Sequence, residues 1–235
     1  MKELGDALKL LFMKIGDFFD IFDLSFFISG IATGSAVVLA THFLGLDFLP
    51  ALQTKLGFLL GIIGAYISGL VSFAAGRWLR QVVVQKFRRK NSYDDFDNKF
   101  RSILEAHGLA DEKPYKTYLE CTSARGSWRL YVRLWAEVRH NEVVTPSLQL
   151  LKRYWVMAAT YDGVTISLLL WFALVLSSTL GVNRLPHLPL VLGIPAAFIL
   201  LVLSISTMRE ASRYFDYQVE EVVATIATTL KKSNQ

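Results

Sequence analysis

The chain has 235 residues, a net charge of +5, a hydrophobic fraction of 53% and one cysteine. Its mean hydropathy of +0.38 is too high for an ordinary soluble domain and too low for a chain that lies wholly within a bilayer. Cys121 has no second cysteine to pair with, which excludes an internal disulfide.

The N-terminal segment places apolar residues at alternating steps of four and three, which predicts an amphipathic helix over residues 1–23. Its polar side carries acidic as well as basic residues. The helix is therefore expected either to pack on the protein's own helices or to lie in the membrane interface. Acidic residues interrupt the segment throughout, and it lacks a small-residue cleavage site, so it is not interpreted as a signal peptide.

Four apolar stretches follow, each close to the roughly 20 residues that a helix needs to cross a bilayer. They pair into two transmembrane hairpins, residues 24–80 and 153–208. Residues 81–152 between them are predicted to form a small helical cytoplasmic domain, and residues 209–235 an amphipathic helix that continues the fourth span. The predicted fold class is all-α, a polytopic membrane protein with four transmembrane helices. The spans cover residues 24–46, 56–76, 153–180 and 188–207.

Lysine and arginine are unevenly distributed. Residues 77–153 hold 16 of the 25, the N-terminal segment three and the C-terminal tail four, whereas the hairpin connections hold only Lys55 and Arg184. Positive charge marks the cytoplasmic side of membrane proteins. Both termini and the central domain are therefore predicted to face the cytoplasm, with the chain spanning the cell inner membrane several times.

Three helices are expected in and around the central domain. Ser92 begins the first, and Gly108 is a fitting stop for it. The second runs through "SWRLYVRLWAEVRH" and is apolar on more than half of its surface, so it should be largely buried. The third begins at Thr145 and Pro146, which suit a helix start, and continues into the third span for about 35 residues.

Asp162 lies in the third apolar stretch, about 13 Å along the helix from Arg153 and close to the inner interface. One interpretation is an aspartate that marks the membrane boundary. The other is an aspartate drawn inward and paired, as intramembrane acids usually are, with Arg77 at the inner end of the second span as its partner. The spans hold no other acid, which weighs against a proton-coupled transporter.

Small residues recur at steps of four in the first two spans. Gly30 and Gly34 form one pair, and Gly57 and Gly61 begin a stripe on the second span. Such spacing lets helix backbones approach closely in lipid. Packing within the hairpin needs only one stripe, yet the second span has a further one, formed by Gly64, Ser68, Ser72, Ala75 and Gly76. We therefore expect one of the two to contact another subunit in a homo-oligomer.

In the fourth span, Pro195 removes a helical hydrogen bond and is a candidate hinge, although membrane helices often tolerate proline.

No nucleophile, nucleotide or metal-binding motif is present in the sequence, and the four histidines lack ligand spacing. We therefore expect a protein that is not an enzyme, with no cofactor and no metal. Nucleic acid is not an expected partner, because exposed aromatic residues do not alternate with the basic ones.

The polar residues whose spacing places them on one helix face are basic. Arg125, Arg129 and Arg133 are spaced by four, which places them along one helix face. They are predicted to bind a cytosolic partner or an acidic ligand. The alternative is juxtamembrane charge that sets orientation and contacts anionic lipid.

The span pattern, the inner "GRWLRQ" end of the second span and the central helical domain resemble small four-span membrane proteins of bacterial anti-phage defence systems, of the Kiwa membrane-subunit type. The resemblance implies a subunit that senses membrane or phage events and recruits a cytosolic effector. The expected function is a non-enzymatic, oligomeric membrane sensor or scaffold in antiviral defence. The alternative is a membrane effector that forms a pore or channel.

Overall fold

The computed structural model describes residues 21–43, 45, 50, 54–88, 92–109, 116, 126–140, 145–181 and 185–233. These residues form six helices and no strand, which confirms the all-α class. The predicted N-terminal helix over residues 1–23 lies almost entirely outside them. The helices are α1 (Ile21–Phe43), α2 (Lys55–Arg88), α3 (Ser92–Ala106), α4 (Gly126–His140), α5 (Thr145–Thr179) and α6 (Leu190–Ser233).

Four of these helices are long and apolar enough to cross a membrane, as the sequence predicted. Large side chains such as Phe58, Val191 and Phe198 are more than 60% exposed. In water this surface would be an aggregation hazard, whereas lipid tails cover it at no cost. The chain is therefore a polytopic membrane protein. The apolar segments are Ser25–Phe43, Leu56–Val83, Pro146–Thr179 and Leu190–Thr229.

Three of the four spanning helices are much longer than a bilayer requires. α2 has 34 residues, α5 has 35 and α6 has 44, against the roughly 20 that cross the hydrocarbon core. The predicted length of the third helix and the continuation of the fourth span are both confirmed. The sequence of residues 80–87, "RQVVVQKF", allows a short strand but favours continuation of the second span. These residues continue α2, which confirms the favoured prediction.

The chain divides into two compact units. Unit 1 is Met1–Arg77 with Ala159–Arg209, and unit 2 is Trp78–Ala158 with Glu210–Gln235. Most of both predicted hairpins thus falls in unit 1. The central domain and the C-terminal part of α6 together belong to unit 2.

Unit 2 is a bundle of α3, α4, the first turns of α5 and the last part of α6, around one apolar core. Burying a Leu, Val or Phe side chain stabilises a fold by about 1.5–3 kcal/mol, so this core is the main source of the bundle's stability. α4 supplies the predicted buried side. The core residues are Phe100, Leu104, Leu109, Leu130, Tyr131, Leu134, Val138, Leu151, Val219, Val222, Val223, Ile226 and Ala227.

Two helix ends show why the helices begin and stop where they do. The Thr54 hydroxyl accepts a hydrogen bond from the Gly57 N–H at 3.0 Å and caps the start of α2. α3 stops at Ala106, and Gly108 turns the chain away from the helix. Its φ of 72° is the left-handed conformation that glycine adopts most easily. The next N–H, of Leu109, reaches back to the Leu104 carbonyl at 2.9 Å, and both leucines are buried in the core.

Candidate functional site

Asp162 lies where α2 and α5 touch backbone to backbone. A Cβ atom added to Gly76 would overlap the carbonyl group of Asp162. Only glycine permits this approach, so residue 76 fixes the crossing point of the two helices. Arg77, the predicted partner, follows Gly76 in sequence and therefore lies at nearly the same level along α2 as Asp162.

The Asp162 side chain is only 1% exposed, and the residue is engaged in a polar interaction. Burial of this extent places the carboxylate between helices of unit 1, and the boundary and paired interpretations of Asp162 both stay predictions. An unpaired carboxylate would be very costly at such a position. The ion pair with Arg77 itself stays a prediction.

A chain of hydroxyl groups joins three spans within unit 1. The Thr33 Oγ1 atom on α1 lies 2.8 Å from Ser72 Oγ on α2 and 2.8 Å from Ser167 Oγ on α5. The Ser167 hydroxyl in turn donates to the Ser29 carbonyl oxygen at 3.0 Å. All four residues are buried. We call Ser29, Thr33, Ser72 and Ser167 the hydroxyl seam.

Each hydroxyl in the seam has one proton, which limits how the bonds run. If Ser167 donates to the Ser29 carbonyl, Thr33 donates to Ser167 and accepts from Ser72. If Ser72 donates to the Ser68 carbonyl, 2.7 Å away, Thr33 donates to Ser72 and accepts from Ser167. Either arrangement satisfies all three hydroxyls. Among the described residues, no buried side-chain nitrogen or oxygen lacks a hydrogen-bond partner. The seam therefore fixes the rotation of each of the three helices about its own axis. Contacts between apolar surfaces alone would allow several such rotations.

Glycines bring the same three helices together beside the seam. A Cβ on Gly30 would overlap the backbone of Ala65, and one on Gly69 would overlap the backbone of Phe26, so α1 and α2 are in close contact. A Cβ on Gly163 of α5 would lie 2.6 Å from Ser29 Oγ of α1. The prediction that small residues pack the first two spans together holds at Gly30.

Part of the second small-residue stripe of α2 packs within the chain, whereas one of the two stripes was predicted to contact another subunit. Ser72 and Gly76 of that stripe contact α1 and α5 of the same chain. At Gly64, by contrast, an added Cβ would meet nothing within 4 Å, and the same holds at Gly34. Contact with another subunit stays a prediction. The two other glycines assigned to helix packing, Gly57 and Gly61, are half-buried.

α6 joins unit 1 through α5. The Thr207 and Thr165 hydroxyls lie 2.9 Å apart, and a Cβ on Gly193 would overlap the Thr179 side chain. Pro195, the candidate hinge, lies in the second turn of a helix that continues without a break to Ser233. Its role as a hinge stays a prediction.

In unit 2, α4 presents the predicted arginines on the face opposite its buried side. Arg129 and Arg133 are exposed, whereas Leu130 and Leu134 are 0% exposed. Arg133 Nε donates to Glu137 Oε1 at 3.0 Å, the local partner that the sequence offers. Arg125 lies outside the described residues.

Sequence reasoning missed an apolar residue within this basic face. Val132 is 48% exposed and lies about one helical turn after Arg129, on the side of Arg129 away from Arg133. Arg139 and His140 are exposed near the end of the helix. The sequence did indicate this exposure, because Val132 is apolar but is not among the residues whose helical spacing places them in the core. We call Arg129, Val132, Arg133, Arg139 and His140 the α4 outer face.

The described residues contain no group of three or more His, Cys, Asp or Glu side chains that could hold a metal ion. Comparison with protein-family models, curated proteins and solved structures gives no match to this chain. The structural features that bear on function are therefore the hydroxyl seam, Asp162 and the α4 outer face.

Proposed function

We propose that the protein is a non-enzymatic sensor or scaffold subunit of the cell inner membrane, which recruits a cytosolic effector through unit 2. The observation that carries this proposal is the α4 outer face. α4 has its opposite side in the core of the bundle, and it exposes Arg129, Arg133 and, beside Arg129, Val132.

The chemistry of this face fits an acidic protein surface. Arginine binds carboxylates through two parallel N–H donors and is enriched at protein interfaces, as are partly exposed apolar residues at their centres. The Arg133–Glu137 pair is exposed and contributes under about 1 kcal/mol. A partner carboxylate can therefore displace Glu137 at little cost.

The membrane part supports a scaffold whose spans are held in a fixed arrangement. Hydroxyl groups and close glycine contacts tie α1, α2 and α5 together. We further propose that the subunit forms homo-oligomers, that both termini face the cytoplasm, and that it acts in anti-phage defence as the four-span resemblance implies.

Site-directed photo-crosslinking tests the recruiting role. Benzoylphenylalanine is introduced in place of Val132, and in place of exposed Ser102 on α3 as the matched control. We expect position 132 to give an adduct with one cytosolic protein that position 102 does not give. Adducts of position 132 with lipid alone would contradict the assignment. Ion flux from liposomes that contain the purified protein would favour the pore or channel alternative.

A further inference from the structure

Three tyrosines and an arginine form a second cluster in unit 2, one that the proposed function does not use. The Tyr154 ring on α5 lies 6.2 Å from the Tyr214 ring and 5.8 Å from the Tyr217 ring, both on α6. Tyr214 and Tyr217 are 6.1 Å apart and meet edge to face. We call these residues, with Arg213, the tyrosine cluster.

Arg213 is held in place at the surface of this cluster. Its Nε donates to the Tyr217 hydroxyl at 2.6 Å, and its guanidinium carbon lies 5.3 Å from the Tyr217 ring centroid. Its other neighbour is Glu210, whose Oε1 lies 3.6 Å from Nη1, too far for a hydrogen bond. The side chain is 61% exposed, so its terminal N–H groups face outward while its Nε is fixed.

The Tyr217 hydroxyl adds a donor beside the guanidinium. It accepts the bond from Arg213, so its own proton remains able to donate. Tyr217 is 36% exposed, and Arg153, the neighbour of Tyr154 in sequence, is exposed on α5. A fixed guanidinium with a phenol beside it matches the oxygens of a phosphate group, which arginine binds through two N–H groups at once.

The cluster lies near the predicted cytoplasmic ends of the third span, residues 153–180, and the fourth span, residues 188–207. Arg213 is six residues past the end of the predicted fourth span at residue 207, about 9 Å at 1.5 Å per residue. Tyr154 precedes buried Asp162 by eight residues, or about 12 Å. Tyrosine is enriched at the membrane–water interface because its ring is apolar and its hydroxyl can hydrogen-bond to water. Lipid phosphates occupy the same layer.

We propose that the tyrosine cluster binds the phosphate headgroup of an anionic membrane lipid, with Arg213 and Tyr217 as the donors. Tyr154 and Tyr214 hold Tyr217 in position. The site is separate from the α4 outer face and does not depend on a protein partner.

Full-length protein in detergent micelles tests the site. Thermal unfolding is followed with added phosphatidylglycerol, with phosphatidylcholine and with sodium phosphate, and native mass spectrometry counts retained lipid. We expect phosphatidylglycerol alone to raise the melting temperature. Arg213→Gln should weaken its binding about fivefold, which corresponds to ~1 kcal/mol per basic residue near an anionic surface. Tyr217→Phe, which keeps the ring, should weaken it less.

Lys116→Gln is the control, because it removes one positive charge from an exposed position outside both the tyrosine cluster and the α4 outer face. It should leave the phosphatidylglycerol effect unchanged. Should Arg213→Gln fail to fold, Arg213→Lys keeps the charge without the planar donor fork, and it should still lower retention of the lipid. The proposal is overturned if wild type shows no preference for phosphatidylglycerol, if both Arg213 variants keep that preference, or if sodium phosphate alone gives the same stabilisation.

Discussion

The backbone of Gly76 lies directly against the backbone of Asp162, so closely that a side chain on residue 76 would overlap the Asp162 carbonyl group. This contact places a buried carboxylate at the crossing of two membrane helices. It also brings Arg77, the next residue of α2, to the same level. The arrangement makes the crossing sensitive to a single added methyl group.

Gly76→Ala should destabilise the protein, because α2 and α5 must separate to admit the methyl group. Overpacking of a tight contact costs about 1–3 kcal/mol. Gly64→Ala is the control, since its added Cβ meets nothing within 4 Å, and Ala is favoured over Gly in a helix by up to ~1 kcal/mol. Thermal unfolding in detergent should show a lower melting temperature for the first variant only. Equal effects would show that the Gly76 contact is not tight.

Asp162 and Arg77 should be energetically coupled if they form the predicted pair. Asp162→Asn and Arg77→Gln are compared singly and together in a double-mutant cycle based on the free energy of unfolding. Paired residues show coupling of about 0.5–3 kcal/mol, whereas independent sites add. If the two free-energy changes add, Arg77 is not the polar partner of Asp162, and another group interacts with the buried carboxylate.

The central link of the hydroxyl seam can be removed without changing its shape. Thr33→Val deletes the hydroxyl that bonds both Ser72 and Ser167. Hydrogen bonds between membrane helices contribute about 0.6 kcal/mol each on average, with a maximum near 1.7, so we expect a loss of about 1 kcal/mol. Ser35→Ala, which removes an exposed hydroxyl bonded only within α1, is the control. Equal unfolding free energies for the two variants would argue against the seam as a link between spans.

The predicted topology is tested by labelling single cysteines with a membrane-impermeant maleimide. In a Cys121→Ala background, Arg184→Cys should be labelled from outside intact cells and Lys113→Cys should not. The charge distribution is the reason, since 23 of the 25 lysines and arginines lie in the segments assigned to the cytoplasm. The reverse pattern of labelling would invert the assigned orientation.

The parts of the fold that were predictable are those set by local sequence. Gly108 ends α3 because glycine adopts the left-handed conformation, and the apolar stretches are long enough to be spans wherever they pack. The hydroxyl seam was not predicted, although Ser29 and Thr33 lie one turn apart on α1. A span that is apolar on all sides carries almost no signal for which side meets its neighbour. How each helix is rotated about its axis decides that Ser72 and Ser167 are the residues that meet Thr33.

The burial of Asp162 also depended on tertiary contacts. The sequence placed it near the interface and offered two interpretations, and depth alone does not distinguish them. The feature that accompanies the burial is Gly76, which lets α2 lie against α5 at that level. A lone glycine near the end of an apolar stretch gives no indication of which helix it will meet.

The arginines of α4 provide the last prediction. Replacing Arg125, Arg129 and Arg133 by alanine should leave folding and membrane insertion intact, since Arg129 and Arg133 are exposed and the ion pair between Arg133 and Glu137 is weak. Capture of the cytosolic protein that crosslinks to position 132 should weaken, and the difference from wild type should be larger at low salt because ions screen surface charges.

Lys152→Ala on α5 serves as the matched control for this variant, because it removes an exposed positive charge outside the α4 outer face. Two measurements separate the explanations: retention of the partner on immobilised protein, and binding to vesicles that contain phosphatidylglycerol. The partner assignment requires the alanine variant to lose the first and keep the second. If it retains the partner as well as wild type does and loses only vesicle binding, the arginines contact lipid, which is the alternative that the sequence left open.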